Sequence, residues 1–134
     1  MCGISAIFRY TYINDADKEK LALMNREMHY RGPDEEGIWL DSTCGLAHTR
    51  LSVIGLKNGS QPLFNEDQSL VLVCNGEIYN YIELKKSLKT KGHSFRTDSD
   101  NETILHLYEE YGTKCLEHLR GMFAFCLWDS RKKQ

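Results

Sequence analysis

No apolar run in this chain approaches the roughly 20 residues that cross a bilayer, so no membrane-spanning helix is expected. The N-terminus has no basic segment followed by an apolar stretch, and no secretory signal is read there. Charge of one sign is not in excess: 17 Lys and Arg stand against 19 Asp and Glu, for a net charge of −2. That balance predicts no attraction to nucleic acid or to a membrane surface. Cys2, Cys44, Cys74, Cys115 and Cys126 are odd in number, none is close to another, and no C-x-x-C occurs. This is neither a disulfide framework nor a zinc pattern, and the expected compartment is reducing cytoplasm. Repeats, low-complexity segments and linkers are also missing. What is there is a 134-residue chain with 41% hydrophobic and 27% charged residues, read as one globular domain long enough for a real core.

Periodicity predicts the elements. Residues 2–10 alternate Ile4, Ala6, Phe8 and Tyr10 as a strand does. Residues 16–30 read as a helix capped by Asp15, striped by Leu21, Met24 and Met28, and stopped by Gly32-Pro33. Two strands follow at 36–41 and 45–54, then a loop over Lys57–Pro62. The run 69–74 is a buried strand expected to end at Asn75-Gly76. Helices are expected over 80–91 (Tyr81, Leu84 and Leu88 inward, Gly92 after) and 100–111 (Ile104, Leu105, Tyr108 and Tyr111 inward, Gly112 after). A short helix is expected over Lys114–Leu119. Residues 121–128 are apolar on both faces and read as a central strand. Strands covered by helices on both sides predict a layered α/β or α+β domain.

The chain begins Met1-Cys2-Gly3-Ile4. Trimming of Met1 would leave Cys2 carrying a thiol and a free α-amine. Such an amine titrates near 7.7–8.0, so part of it is a free base at neutral pH. It can take the proton of a neighbouring nucleophile, and for cysteine the thiolate is the attacking species. The bland alternative is an ordinary cysteine at the start of a buried strand.

Other segments also carry two readings. Arg31-Gly32-Pro33-Asp34 is a helix stop and turn, or a mobile polar loop over a site. Arg50 lies in an otherwise apolar stretch. It is a strand-end arginine paired with an acid, or a fork for a carboxylate. His48 beside it reads as structural. Asn75-Gly76 is a strong hairpin signal. Because a helix follows, it can instead supply an oxyanion hole from the Asn75 amide and the Gly76 N–H. Ser99-Asp100-Asn101-Glu102 fits a capping box, which leaves the Asp100 carboxylate for a ligand ammonium.

Taken in order, Met-Cys-Gly-Ile, Arg-Gly-Pro-Asp-Glu, His-Thr-Arg-Leu-Ser, Gln61-Pro62, Asn-Gly-Glu-Ile-Tyr-Asn, Ser-Asp-Asn-Glu and Gly-Met-Phe-Ala-Phe resemble one family. It is the glutaminase domain of glutamine-hydrolysing asparagine synthetase, a class II glutamine amidotransferase. The resemblance covers about the whole chain. It implies an α+β fold, the four-layer αββα sandwich of N-terminal-nucleophile hydrolases, truncated here at its C-terminal end, with the whole of 1–134 as one incomplete domain. It also implies roles. Cys2 is the nucleophile, Asn75 and Gly76 the oxyanion hole, and Arg50 the holder of the glutamine α-carboxylate. Glu77 and Asp100 hold the α-ammonium or order the pocket, and the loop of Arg31, Gly32, Pro33 and Asp34 lies near the site. Glutamine is the implied substrate, and glutamate and ammonia are the products. The glutaminase step needs no metal or organic cofactor; ATP and Mg belong to a synthetase domain that lies outside this chain and would be its partner. A homodimer is compatible with the resemblance. Two rival expectations are a non-catalytic binding or regulatory fragment and an N-terminal-cysteine hydrolase of another amide.

Overall fold

A computed structural model describes all residues, 1–134. The elements are β1 (Gly3–Phe8), α1 (Asp15–Glu27), a 3-10 turn (His29–Arg31), β2 (Glu35–Leu40), β3 (Cys44–Arg50), β4 (Leu63–Phe64), β5 (Leu70–Ile78), α2 (Tyr81–Thr90), α3 (Glu102–Tyr111), a second 3-10 segment (Gly112–His118) and β6 (Gly121–Asp129). No helix is long and apolar enough to cross a membrane.

The strands form two antiparallel three-stranded sheets, ordered β1-β3-β2 and β4-β5-β6. β5 explains the layering. Its run of alternating apolar side chains is buried on both faces. Val71 and Val73 meet Cys44, Leu46 and Trp128 between the sheets. Leu70, Leu72, Cys74 and Ile78 turn the other way, onto Ile104 and Leu105 of α3. A strand with two covered faces needs no polar alternation. α1 covers the outside of the first sheet, where Leu21 is fully buried against Gly45, a burial worth about 1.5–3 kcal/mol. The order is helix, sheet, sheet, helices: the expected αββα sandwich.

Several local expectations need correction. α1 is capped by Asn14, not Asp15: the Asn14 side chain accepts from the Asp17 N–H at 2.9 Å, and Asp17 accepts in return from the Asn14 N–H. The inward face of α1 steps by four through Asp17, Leu21 and Asn25, so Met24 is 42% exposed. Asp17 is tolerated in that buried row because Arg9 pairs with it. Tyr111 does not point inward; it lies at the surface, stacked on His118. The last apolar strand, β6, pairs with β5 along its whole length. Both of its faces are apolar because one packs between the sheets and the other under the helices. The capping box at 99–102 does not form. Glu102 accepts instead from the backbone N–H groups of Arg96 and Thr97, at 2.7 and 2.8 Å, and Asn101 holds the N-cap position without a side-chain bond.

The strand expected to end at Asn75-Gly76 continues through both residues. They make no hairpin. β5 runs through them to Ile78, with Asn75 opposite Ala124 and Gly76 opposite Phe123. Glycine is required here because the neighbouring strand comes so close. A Cβ at position 76 would lie 2.2 Å from the Met122 carbonyl oxygen, and φ is +150°.

Candidate functional site

β4 is only two residues long and pairs with β5 at Leu72 and Val71. Beyond that point one edge of β5 has no strand beside it. In an antiparallel strand, alternate residues send both N–H and C=O to the same edge. Here Cys74, Gly76 and Ile78 face the open edge. Buried backbone groups there need partners, and side chains provide nearly all of them. Gln61 accepts from the Cys74 N–H at 2.6 Å and donates to the Cys74 carbonyl at 3.0 Å, so it stands in for a missing strand. His48 Nε2 also meets that carbonyl, at 3.0 Å. Asp100 accepts from the Ile78 N–H at 2.6 Å. Asn101 donates to the Gly76 carbonyl at 3.4 Å. Of the three N–H groups on this edge, only that of Gly76 has no side chain or loop backbone bonded to it.

A cavity lies over that N–H. Its wall includes Cys2, Arg50, Asn75, Gly76, Glu77 and Asp100. The six residues singled out in the sequence as nucleophile, oxyanion donors and substrate holders thus converge, although the chain separates the first from the last by 98 positions. Met1 also lines the cavity, 72% exposed. The Cys2 sulfur lies 3.4 Å from the Leu51 N–H, which donates to it.

The loop of Arg31, Gly32, Pro33 and Asp34 lies beside the site but does not line it, and it is not a free flap over it. Arg31 Nε donates to the Cys2 carbonyl at 3.0 Å. Gly32 packs on the Thr49 backbone, where a Cβ would come within 2.4 Å. Pro33 bridges to Arg50, and Asp34 accepts from the Ser52 N–H at 2.8 Å. This segment braces Cys2 and the residues after β3.

Arg50 is paired with an acid, as one of its two readings expected. The side chain is 4% exposed. One Nη1 N–H donates to Glu35 at 2.9 Å, and Nη2 donates to the carbonyls of Ile54 and Gly55. Pairing with Arg50 holds the Glu35 carboxyl below its ordinary value, with burial opposing it. Of five guanidinium N–H groups, those on Nε and one on Nη1 remain for a ligand. Close packing holds the head in place: a Cβ on Gly59 would touch Nη2 at 2.7 Å.

On the opposite wall, Asp100 is 2% exposed. Burial pushes its carboxyl above the ordinary range, and the backbone N–H groups of Ile78, Asp100 and Asn101 only partly offset that. Its charge is therefore incompletely met by the protein. Asn101 Oδ1 beside it is buried without a partner. Open donors at Gly76 and Arg50, together with open acceptors at Asp100 and Asn101, suit a small zwitterion bearing an amide or ester carbonyl. His48 is not part of this chemistry. It is buried between the sheets and burial pushes it down to about 4, so at neutral pH it is a neutral donor to Cys74.

Sequence reasoning missed Leu51, Val53, Ile54, Gly59, Gln61, Ser99 and Asn101 as cavity residues. Most lie in irregular loops, where no periodicity signals orientation. Gln61 was visible only as half of a Gln-Pro pair, and Asn101 only as the neighbour of Asp100.

The sequence matches a glutamine amidotransferase domain family over residues 1–134. It is 47% identical over 133 residues to the glutamine-hydrolysing asparagine synthetase of Zea mays, covering 99% of this chain and 22% of that protein. Against asparagine synthetase 1 of Bacillus subtilis (strain 168) it is 44% identical over 131 residues, covering 96% of this chain and 21% of that protein. The chain therefore spans about a fifth of the length of these relatives. Among solved structures it is similar to glutamine phosphoribosylpyrophosphate amidotransferase from B. subtilis complexed with ADP and GMP. The TM-score is 0.55 at 28% identity, over 68% of this chain and 22% of that one.

Proposed function

Because the chain belongs to the glutamine amidotransferase domain family, we propose that it hydrolyses the side-chain amide of glutamine with Cys2 as nucleophile. The observation that carries this reading is the single open Gly76 N–H on the β5 edge, in a cavity shared with Cys2. Removal of Met1 frees the Cys2 amine and takes one residue out of the cavity wall. The amine accepts the thiol proton, and the thiolate attacks the amide carbon. The resulting oxyanion accepts from the Gly76 N–H and the Asn75 side-chain amide, preorganised donors that need no rearrangement when charge develops. The intermediate collapses as the ammonium proton passes to the leaving nitrogen; ammonia departs and a γ-glutamyl thioester remains. Water, deprotonated by the amine, then attacks the thioester and releases glutamate and the thiol. A free guanidinium N–H of Arg50 holds the α-carboxylate, and Asp100 with Glu77 receives the α-ammonium.

In the complete protein the ammonia would pass to an ATP- and Mg-dependent synthetase domain and amidate an activated aspartate, β-aspartyl-AMP, in the cytoplasm. The names of the relatives support this step. The test is glutamate release from glutamine by protein whose intact mass shows Met1 removed. Cys2→Ala and protein retaining Met1 should both be inactive. Release within a few-fold of the processed wild type by either one would overturn the mechanism.

A further inference from the structure

We propose that Glu66, His93, His106 and Glu109 form a binding site for a first-row divalent metal ion of the zinc class, apart from the glutamine cavity. His106 and Glu109 stand three residues apart on α3, while Glu66 and His93 come from two loops packed beside it. Their nearest donor atoms converge. His106 Nδ1 lies 3.0 Å from Glu109 Oε2 and 3.5 Å from Glu66 Oε2. His93 Nδ1 lies 3.5 Å from Glu109 Oε2 and 3.7 Å from Glu66 Oε1. No two of the four ligand atoms are more than 4.8 Å apart. A tetrahedron with arms of about 2.0–2.1 Å has edges of about 3.3–3.4 Å, so these separations already frame one.

The outer contacts are those of a metal site. Ligating imidazoles characteristically turn their second nitrogen to a carboxylate. His93 Nε2 meets Glu110 at 3.1 Å. His106 Nε2 faces Glu102 at 3.6 Å, is fully buried, and has no hydrogen-bond partner. The carboxylates are also held: Glu109 accepts from Asn65 Nδ2 at 2.8 Å, and Glu66 from the Ser94 N–H at 2.9 Å.

Charge points the same way. Glu66, Glu102, Glu109 and Glu110 surround the two imidazoles, and Lys91 reaches Glu110 only. With neutral imidazoles, four carboxylates against one ammonium leave an excess of three negative charges, which a dication largely cancels. Imidazole ligands select zinc and its neighbours over magnesium and calcium, which prefer oxygen.

The test titrates ZnCl2 into chelator-treated full chain, in a Cys2→Ala background that removes the exposed thiol as a competing ligand. One zinc per chain should bind, and the thermal midpoint should rise in zinc relative to chelator. MgCl2 should do neither. Glu110→Gln, which keeps all four ligands but removes the charge beside His93 Nε2 and the Lys91 ion pair, should weaken zinc on the order of 10–100-fold. His93→Asn and Glu66→Gln, both in loops, should each abolish the one-to-one uptake while keeping the midpoint that the parent shows in chelator. Absence of saturable one-to-one uptake, or uptake undiminished in both loop variants, would overturn the site.

Discussion

Two polar clusters flank α3, and they leave opposite things unsatisfied. Before its first turn, the cavity at Gly76 offers open N–H donors on Gly76 and Arg50, with Asp100 and Asn101 Oδ1 as spare acceptors. Along its second half, His93 and His106 are crowded by carboxylates, and acceptors are in surplus. A balanced set of donors and acceptors fits a neutral zwitterion that forms and loses charge during reaction. An acceptor-rich nest fits a concentrated positive charge. The difference lies in backbone supply: the cavity is the unpaired edge of a strand, whereas the nest is built from side chains alone.

The largest expected effect sharpens the first half of that contrast. Asn75→Ala should lower kcat on the order of 10²–10³, the cost of losing one oxyanion donor, with little change in KM. Arg50→Ala should act mainly on KM, because it meets the carboxylate in ground and transition states alike. Arg50→Ala should also lower stability, since Glu35 and the carbonyls of Ile54 and Gly55 lose their donor. Steady-state kinetics with urea unfolding separate the two outcomes, and a reversed kcat and KM pattern would reassign both residues.

Next in size is the edge itself. Gln61→Leu fills the space but leaves the buried Cys74 N–H without an acceptor. Unfolding free energy should fall by about 1–3 kcal/mol. Should stability be unchanged, Gln61 is not the substitute strand that keeps this edge from closing.

The smallest effect is a slope. The His48 value of about 4 in the folded chain lies below the unfolded value of about 6.5. The unfolded chain therefore takes up a proton that the folded chain refuses. The stability associated with a neutral His48 is full above about pH 6.5 and is lost as pH falls toward about 4. In that window wild type should lose stability with a dependence of about one proton more than His48→Gln. Urea midpoints between pH 7 and pH 4.5 read the difference, and parallel curves would show that His48 titrates normally.

Much of this was legible in the chain. The apolar run at 69–74 announced a buried strand, and that at 121–128 a strand covered on both faces. The terminal cysteine, Arg50 in an apolar stretch and Asp100 at a helix start each marked a polar group with no local purpose. Ordered together, they pointed to one chemistry. Legibility failed where a local motif competed with a distant partner. Asn-Gly favours a hairpin, but the Met122 carbonyl opposite Gly76 made close strand approach the stronger constraint. Ser-x-x-Glu favours a capping box, but the Arg96 and Thr97 N–H groups took Glu102. Helical spacing put Met24 and Tyr111 inside; the buried stripe of α1 runs through Asn25 and leaves Met24 exposed, while Tyr111, at the end of α3, lies at the surface against His118.

By itself, then, the sequence determined which segments become strands and helices, because side-chain period decides what can be buried on one face. It also determined which residues carry chemistry, because charge and nucleophilicity belong to residue types. Tertiary structure decided which backbone group stays open. That depends on β4 not beginning until Leu63, on Gln61 and Asp100 meeting the N–H groups of Cys74 and Ile78, and on no side chain meeting the N–H of Gly76. It also brought residues 66, 93, 106 and 109 to one point. Hydrogen bonds and charges act over a few ångströms of space, and the chain fixes those distances only once it has folded.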